Sequence, residues 1–216
     1  KRDDVAPFVV ASIDIESNSS TGKFPDADID GDACFQIALS LCKMGSDESY
    51  DKTCFCFKKT DPNLEGCNIY SYDTEREMLE AFRTYMIKED IDVMTGWNIF
   101  GFDLEYIYKR AIKNKCSDSF FNLGKLKEYE TYQGPKQKTN GSGMVYKRLS
   151  SSALGDNMLK LLPMPGRFIF DLFHEVKKGY ISKEKIESMI IKMKKHIPFF
   201  YHEVKTDIEL EVVIAD

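Results

Sequence analysis

The chain lacks an initiator methionine, an apolar run near the roughly 20 residues that a membrane helix needs, and any excess of positive charge. Its start, Lys1-Arg2-Asp3-Asp4, has no apolar signal core and reads as an internal boundary of a longer polypeptide. The missing apolar run argues against a helical membrane protein. The formal charge of −5 gives no support for a nucleic-acid binder, since such domains usually show a basic face. It does not exclude such a partner, because a site that holds divalent cations also gathers carboxylates. Paired C-x-x-C spacing is missing too, so Cys34, Cys42, Cys54, Cys56, Cys67 and Cys116 suggest neither a zinc site nor a disulfide framework. They are expected as reduced thiols inside a cell, in a protein that is not secreted. His174, His196 and His202 have no metal-pair spacing and are expected at the surface or in packing. Trp97, the one tryptophan, is expected in the core. No segment repeats another.

What is present suffices for one domain with a real core: 216 residues, 43% of them hydrophobic and 30% charged. Phe8 to Glu16 is β-branched and apolar with a polar end, which predicts a central strand. A Ser-, Asp- and Gly-rich loop over residues 17–33 follows, then strands at Cys34–Met44 and Thr53–Lys58. Asp73 or Thr74 is placed to cap a helix reaching Lys88, with Glu75 and Glu77 in its first turn and Met78, Leu79, Phe82, Tyr85 and Met86 as its apolar stripe. A short strand, Asp92 to Trp97, leads into a helix over Asp103–Lys115. Residues 123–148 carry six basic side chains against Glu128 and Glu130, with Gly134, Pro135, Gly141 and Gly143, and predict a long loop or hairpin. Arg167–Leu172 reads as another strand with a helix after it, and the Lys- and Glu-rich stretch from Ile181 as a further amphipathic helix. This mixture predicts an α/β fold, a sheet covered on at least one face.

The chemistry-bearing residues are carboxylates. In a strand, residues two apart share a face, so Asp14 and Glu16 project together while Val9, Ala11, Ile13 and Ile15 line the other side. Two such charges repel, and each raises the other's pKa unless a cation lies between them. Oxygen ligands of this kind suit Mg²⁺ or Mn²⁺. Alone, the pair equally fits solvated residues at a strand end. Asn98-Ile99-Phe100-Gly101-Phe102-Asp103 adds an amide and a carboxylate at a strand-to-helix turn, where Asp103 taken alone fits a helix N-cap or first-turn acid.

Taken together, D-x-E at 14–16 and G-W-N-x-x-x-F-D at 96–103 resemble the first two exonuclease motifs of B-family DNA polymerases. The flanks Ala6-Pro7-Phe8 and Tyr72-Asp73-Thr74-Glu75 agree. So do Ser150 to Asn157 and Pro165 to Leu172, which are similar to delta-like polymerases of large DNA viruses. The resemblance covers residues 5–180 and sets off 181–216 as a divergent, predicted helical segment. It implies a ribonuclease H-like exonuclease fold: a mixed sheet flanked by helices, with a long hairpin or loop insertion. It implies a metal-dependent 3′→5′ nuclease with two Mg²⁺ or Mn²⁺ ions, held in part by Asp14, Glu16 and Asp103. Asn98 and Phe102 would then hold a frayed or single-stranded primer 3′ end. The other partners implied are the palm, fingers and thumb of the polymerase, in cis or as a separate chain, in the nucleus or a viral replication compartment. The basic segment 123–148 suits contact with a nucleic-acid backbone or strand separation, and equally a solvated loop.

The family's third motif, Y-x-x-x-D, has no counterpart here. Tyr201 has Lys205 at the required spacing, Asp207 falls two positions late, and Asp171 reads as the end of a core strand. The palm motifs are also missing. Absence of a ligand and a water-orienting Tyr is expected to lower the isolated chain's rate by orders of magnitude. Two alternatives stay open: a DNA-holding scaffold of a split polymerase, and a stand-alone ribonuclease of similar fold that uses Asp207.

Overall fold

The structure, a computed structural model, describes residues 7–61, 65–120, 122–126, 143–151 and 155–177. Strand β1 (Val9–Ser17) turns one face to the core because its alternation is strict: Val9, Ala11, Ile13 and Ile15 are buried, whereas Ser12 and Asp14 are exposed. On one side it pairs antiparallel with β2 (Cys34–Lys43), and β2 pairs antiparallel with β3 (Ser49–Phe57). Strand β4 (Asn68–Tyr72) then adds parallel to β3. On the other side β5 (Val93–Gly96) runs parallel to β1, and β8 (Phe168–Asp171) runs parallel to β5. The order is β4-β3-β2-β1-β5-β8, a mixed six-stranded sheet.

Two helices cover the apolar face. Helix α1 (Glu75–Lys88) starts at Thr74, whose hydroxyl accepts from the Glu77 N–H while Glu77 accepts from the Thr74 N–H, a complete capping box. Its Met78, Leu79, Phe82 and Met86 join Ile13, Ile37, Leu39 and Phe55 in one core, with Leu104 and Ile107 of α2 (Asp103–Lys113). A short helix, α3 (Ser117–Phe120), adds Phe120 against Phe82. Strands β6 (Val145–Ser151) and β7 (Gly155–Leu161) form a separate antiparallel pair, and α4 (Leu172–Lys177) follows β8 directly. The α/β reading therefore holds, as does the sheet flanked by helices.

Several expectations need correction. Trp97 is not in the core: it is 44% exposed, its ring set edge-on to Phe173, because β5 ends at Gly96 and the chain turns outward there. The antiparallel strands at 145–151 and 155–161 overlap only the end of the basic stretch 123–148, and β4 had no counterpart in the sequence reading. Residues 127–142 of the basic stretch, Ser152 to Leu154, Tyr180, and all of 181–216 lie outside the described residues. With 181–216 go the predicted terminal helix, His196, His202, Tyr201, Lys205 and Asp207. Among the described residues no helix is long and apolar enough to cross a membrane.

Candidate functional site

The three parallel strands β1, β5 and β8 end on the same side of the sheet, the side on which open α/β sheets place their ligands. What each strand delivers there follows from its last residues. β1 brings Asp14, exposed, and Glu16, half-buried, on one face. β5 ends in Gly96, and a Cβ there would lie 2.5 Å from the Ile13 carbonyl oxygen and 2.6 Å from Ile99 Cγ2. Only glycine lets β5 pass so close to β1 before the turn. β8 ends in Asp171, opposite Gly96 and 1% exposed.

Asp171 organises the turn between β5 and α2. Its two oxygens accept from the Asn98 N–H at 2.8 Å, the Phe100 N–H at 2.9 Å and the Phe173 N–H at 3.0 Å. Asn98 sits at φ +57°, a left-handed conformation that Asn tolerates better than most residues. Its carbonyl accepts from Gly101 and Phe102 N–H groups at 2.9 and 3.1 Å, and its side chain lies where any Cβ on residue 101 would collide with it. The backbone of Asn98 is thus held from both sides, with its half-buried side chain against Gly101.

Asp103 opens α2 but does not cap it. Phe102 is the N-cap residue and offers no side-chain bond, while the Asp103 carboxyl accepts from its own N–H and from the N–H of Ile15. Ile15 lies past the last β1–β5 pair, Ser12 with Thr95, so Asp103 takes a donor that the ladder has left free. Burial and then the charge of Asp14, with a smaller push from Asp171, raise the Asp103 pKa to about 7. Asp103 therefore feels both Asp14 and Asp171, which are far from it in sequence. Glu16 shares the Asp14 face.

Among the described residues no three His, Cys, Asp or Glu side chains stand close enough together to hold a metal ion as they lie. The donors nevertheless suit a hard divalent cation. They are carboxylate oxygens, and the Asp14 charge that adds to burial in lifting Asp103 is what a positive charge between the two would offset.

An aromatic wall adjoins these acids. Phe102, half-buried, packs on Tyr106 at 4.9 Å and receives the edge of Phe24 at 5.1 Å. Phe24 is 76% exposed, yet its loop is well anchored. Buried Asp32 accepts from the Ser20 N–H at 2.7 Å and the Asp26 N–H at 3.0 Å, and also from the Ser20 hydroxyl, and these bonds hold its carboxyl below the usual range. The Tyr106 hydroxyl donates to the Asp32 carbonyl at 2.7 Å. Sequence reasoning missed Phe24 and the part played by Asp171. The first stood in a stretch marked only by Ser, Asp and Gly. The second acts on residues more than 70 positions upstream, although the acid closing an otherwise apolar strand was a readable signal. The hairpin closes the far side: the Lys160 N–H donates to the Phe100 carbonyl at 3.0 Å, and Lys160 Nζ pairs with Glu105 at 2.7 Å.

Comparison with known proteins places the chain in a family. Residues 1–189 fit the family model described as "DNA polymerase family B, exonuclease domain". A DNA polymerase of Paramecium bursaria Chlorella virus NY2A is 33% identical over 82% of this chain and 19% of its own length. The DNA polymerase delta catalytic subunit of Dictyostelium discoideum is 32% identical over 82% of this chain and 15% of its own length. That of Caenorhabditis elegans is 30% identical over 97% of this chain and 17% of its own length. The chain spans less than a fifth of each of these relatives. It belongs to the exonuclease-domain family of the B-family DNA polymerases.

Proposed function

We propose that this chain is the 3′→5′ proofreading exonuclease module of a replicative DNA polymerase, hydrolysing the last phosphodiester of a frayed primer strand. The observation that carries the reading is the meeting of Asp103 with the acidic end of β1, where its carboxyl takes the Ile15 N–H and is raised by Asp14. Asp14, Glu16 and Asp103 would hold Mg²⁺ or Mn²⁺. Two such ions, when bound, lower the pKa of an attacking water and stabilise the leaving 3′ oxygen. The chain's own groups then have distinct tasks. The Asn98 amide, carried on the turn that Asp171 anchors, would bond the terminal nucleotide. The rings of Phe102 and Phe24 offer apolar and π surface to bases, and stacking of that kind is tolerant of sequence, as removal of any mismatched base requires. Partners are the primer 3′ end and the other domains of the polymerase, in the nucleus or a viral replication compartment.

The test is digestion of an end-labelled primer with a mismatched 3′ terminus, with Mn²⁺ and with EDTA. Asp14→Ala and Asp103→Ala should each lower the metal-dependent rate by about 100-fold or more, the scale seen when electrostatic stabilisation is removed from a site. Cleavage equal to the unaltered chain would take that residue out of the mechanism. Salt-sensitive strand binding that persists in EDTA without cleavage would point instead to a DNA-holding module.

A further inference from the structure

We propose that Cys54 and Cys56 form a two-sulfur site for a soft, thiophilic ligand that binds both sulfurs through a single atom, such as a trivalent arsenical or a soft divalent cation. The two residues are alternate positions of β3, so their side chains share a face, and their Sγ atoms lie 3.5 Å apart. Two thiolates on one tetrahedral metal, each about 2.3 Å from it, stand about 3.8 Å apart. The pair therefore already has close to the spacing that one bridging atom demands.

A direct disulfide fits less well. Residues two apart on an extended strand have Cα atoms about 6.7 Å apart. That is the upper edge of the usual disulfide range, and the sulfurs would have to close to about 2.05 Å. Buckling β3 to allow this is opposed from both sides: Cys54 and Cys56 pair with Ala38 and Gln36 on β2, and with Ile69 and Ser71 on β4. A bridging atom needs no such movement. Cys54 is half-buried and gives a ligand access, whereas Cys56 is only 2% exposed and keeps water from competing for the bound atom.

Hydrogen bonding between the two thiols draws the Cys56 pKa below that of an ordinary thiol and pushes that of Cys54 well above it, so Cys56 is the thiol that reacts first. Half-buried Cys67, just ahead of β4, lies within electrostatic reach of both sulfurs. The site shares the sheet face of the candidate carboxylates, since Gln36 pairs with Glu16 on one side and with Cys56 on the other.

The probe is phenylarsine oxide, reactive as its dihydroxy form. Each thiol gives up its proton, two As–S bonds replace two As–O bonds, and two water molecules leave, with no change of oxidation state. The reduced full chain should take up one phenylarsenic group and lose two titratable thiols. The adduct should be reversed by a dithiol but not by a monothiol. Cys54→Ser and Cys56→Ser should each weaken uptake about tenfold or more, while Cys42→Ser should not. Both cysteines fall between Lys52 and Lys58, so trypsin releases them on one peptide, Thr53–Lys58. Mapping the unaltered adduct to that peptide supports the site even if a serine variant folds poorly. Arsenic on any other peptide, undiminished uptake in both serine variants, or no uptake by the folded chain overturns it.

Discussion

The carboxylate of Asp171 acts through main-chain N–H groups and not through open solvent. With 1% exposure and three donors at 2.8 to 3.0 Å, it holds the Asn98–Phe100 turn against the start of α4. Asp171→Asn keeps the shape but turns one acceptor oxygen into an NH₂ facing an N–H. The expected loss is about 2–3 kcal/mol of stability, the range for charge-assisted bonds and buried donors left without partners, checked by urea unfolding. Cleavage should fall about 10- to 100-fold through loss of orientation, with Mn²⁺-dependent strand binding less affected. At this scale the legible residues were those governed by local rules. Asp14 and Glu16 share a face because strand side chains alternate. Trp97 was misread because size and apolarity favour burial on average, whereas the chain at 97 has already left the sheet. Phe24 gave no local signal, since its partner Phe102 lies 78 positions away.

Among the elements, the loop between β1 and β2 is fastened by one buried ion pair. Glu75 at the start of α1 meets Arg110 of α2 through Oε2–Nη2 at 2.5 Å and Oε1–Nε at 2.7 Å. Glu75 also accepts from the Cys34 N–H at 2.9 Å, and Arg110 donates to the Ala27 and Ile29 carbonyls at 3.2 and 2.8 Å. Two helices, the first residue of β2 and the loop carrying Phe24 therefore meet at one point. Glu75→Gln leaves the guanidinium buried without its counter-charge, and should cost about 3–5 kcal/mol. Thr74→Ala next to it removes only the exposed capping box, and should cost about 1 kcal/mol. Thermal unfolding of the two variants side by side checks the contrast; equal losses would mean that the ion pair is not the fastening. Helix α1 and strands β1 and β2 were readable because one face of each is continuously apolar. Strand β4 was not: it is short, stands at the sheet edge, and none of its residues is fully buried, so no alternation marks it.

For the whole molecule, the acids gathered where β1, β5 and β8 end couple site chemistry to global stability. The Asp103 carboxyl titrates at about 7 in the folded chain against 3.8 for an ordinary aspartate. Between those values the folded chain keeps a proton that the unfolded chain has released, so stability falls as pH rises from near 4 to near 7 and levels off above. A divalent cation between Asp14 and Asp103 should offset this, since it binds the deprotonated folded site and not the unfolded chain. At about ten times its dissociation constant it adds about 1.4 kcal/mol. Urea midpoints in EDTA and in Mn²⁺, taken at about pH 5 and about pH 8, separate the two effects. The unaltered chain should lose stability in EDTA between these values and regain it with Mn²⁺, more at the higher pH, where Asp103 no longer has a proton to surrender. Asp103→Asn, neutral throughout, should show a flatter pH dependence and little response to the ion. If both proteins respond equally to Mn²⁺ at about pH 8, the ion binds without Asp103, and the convergence of the three strand ends has no part in holding it.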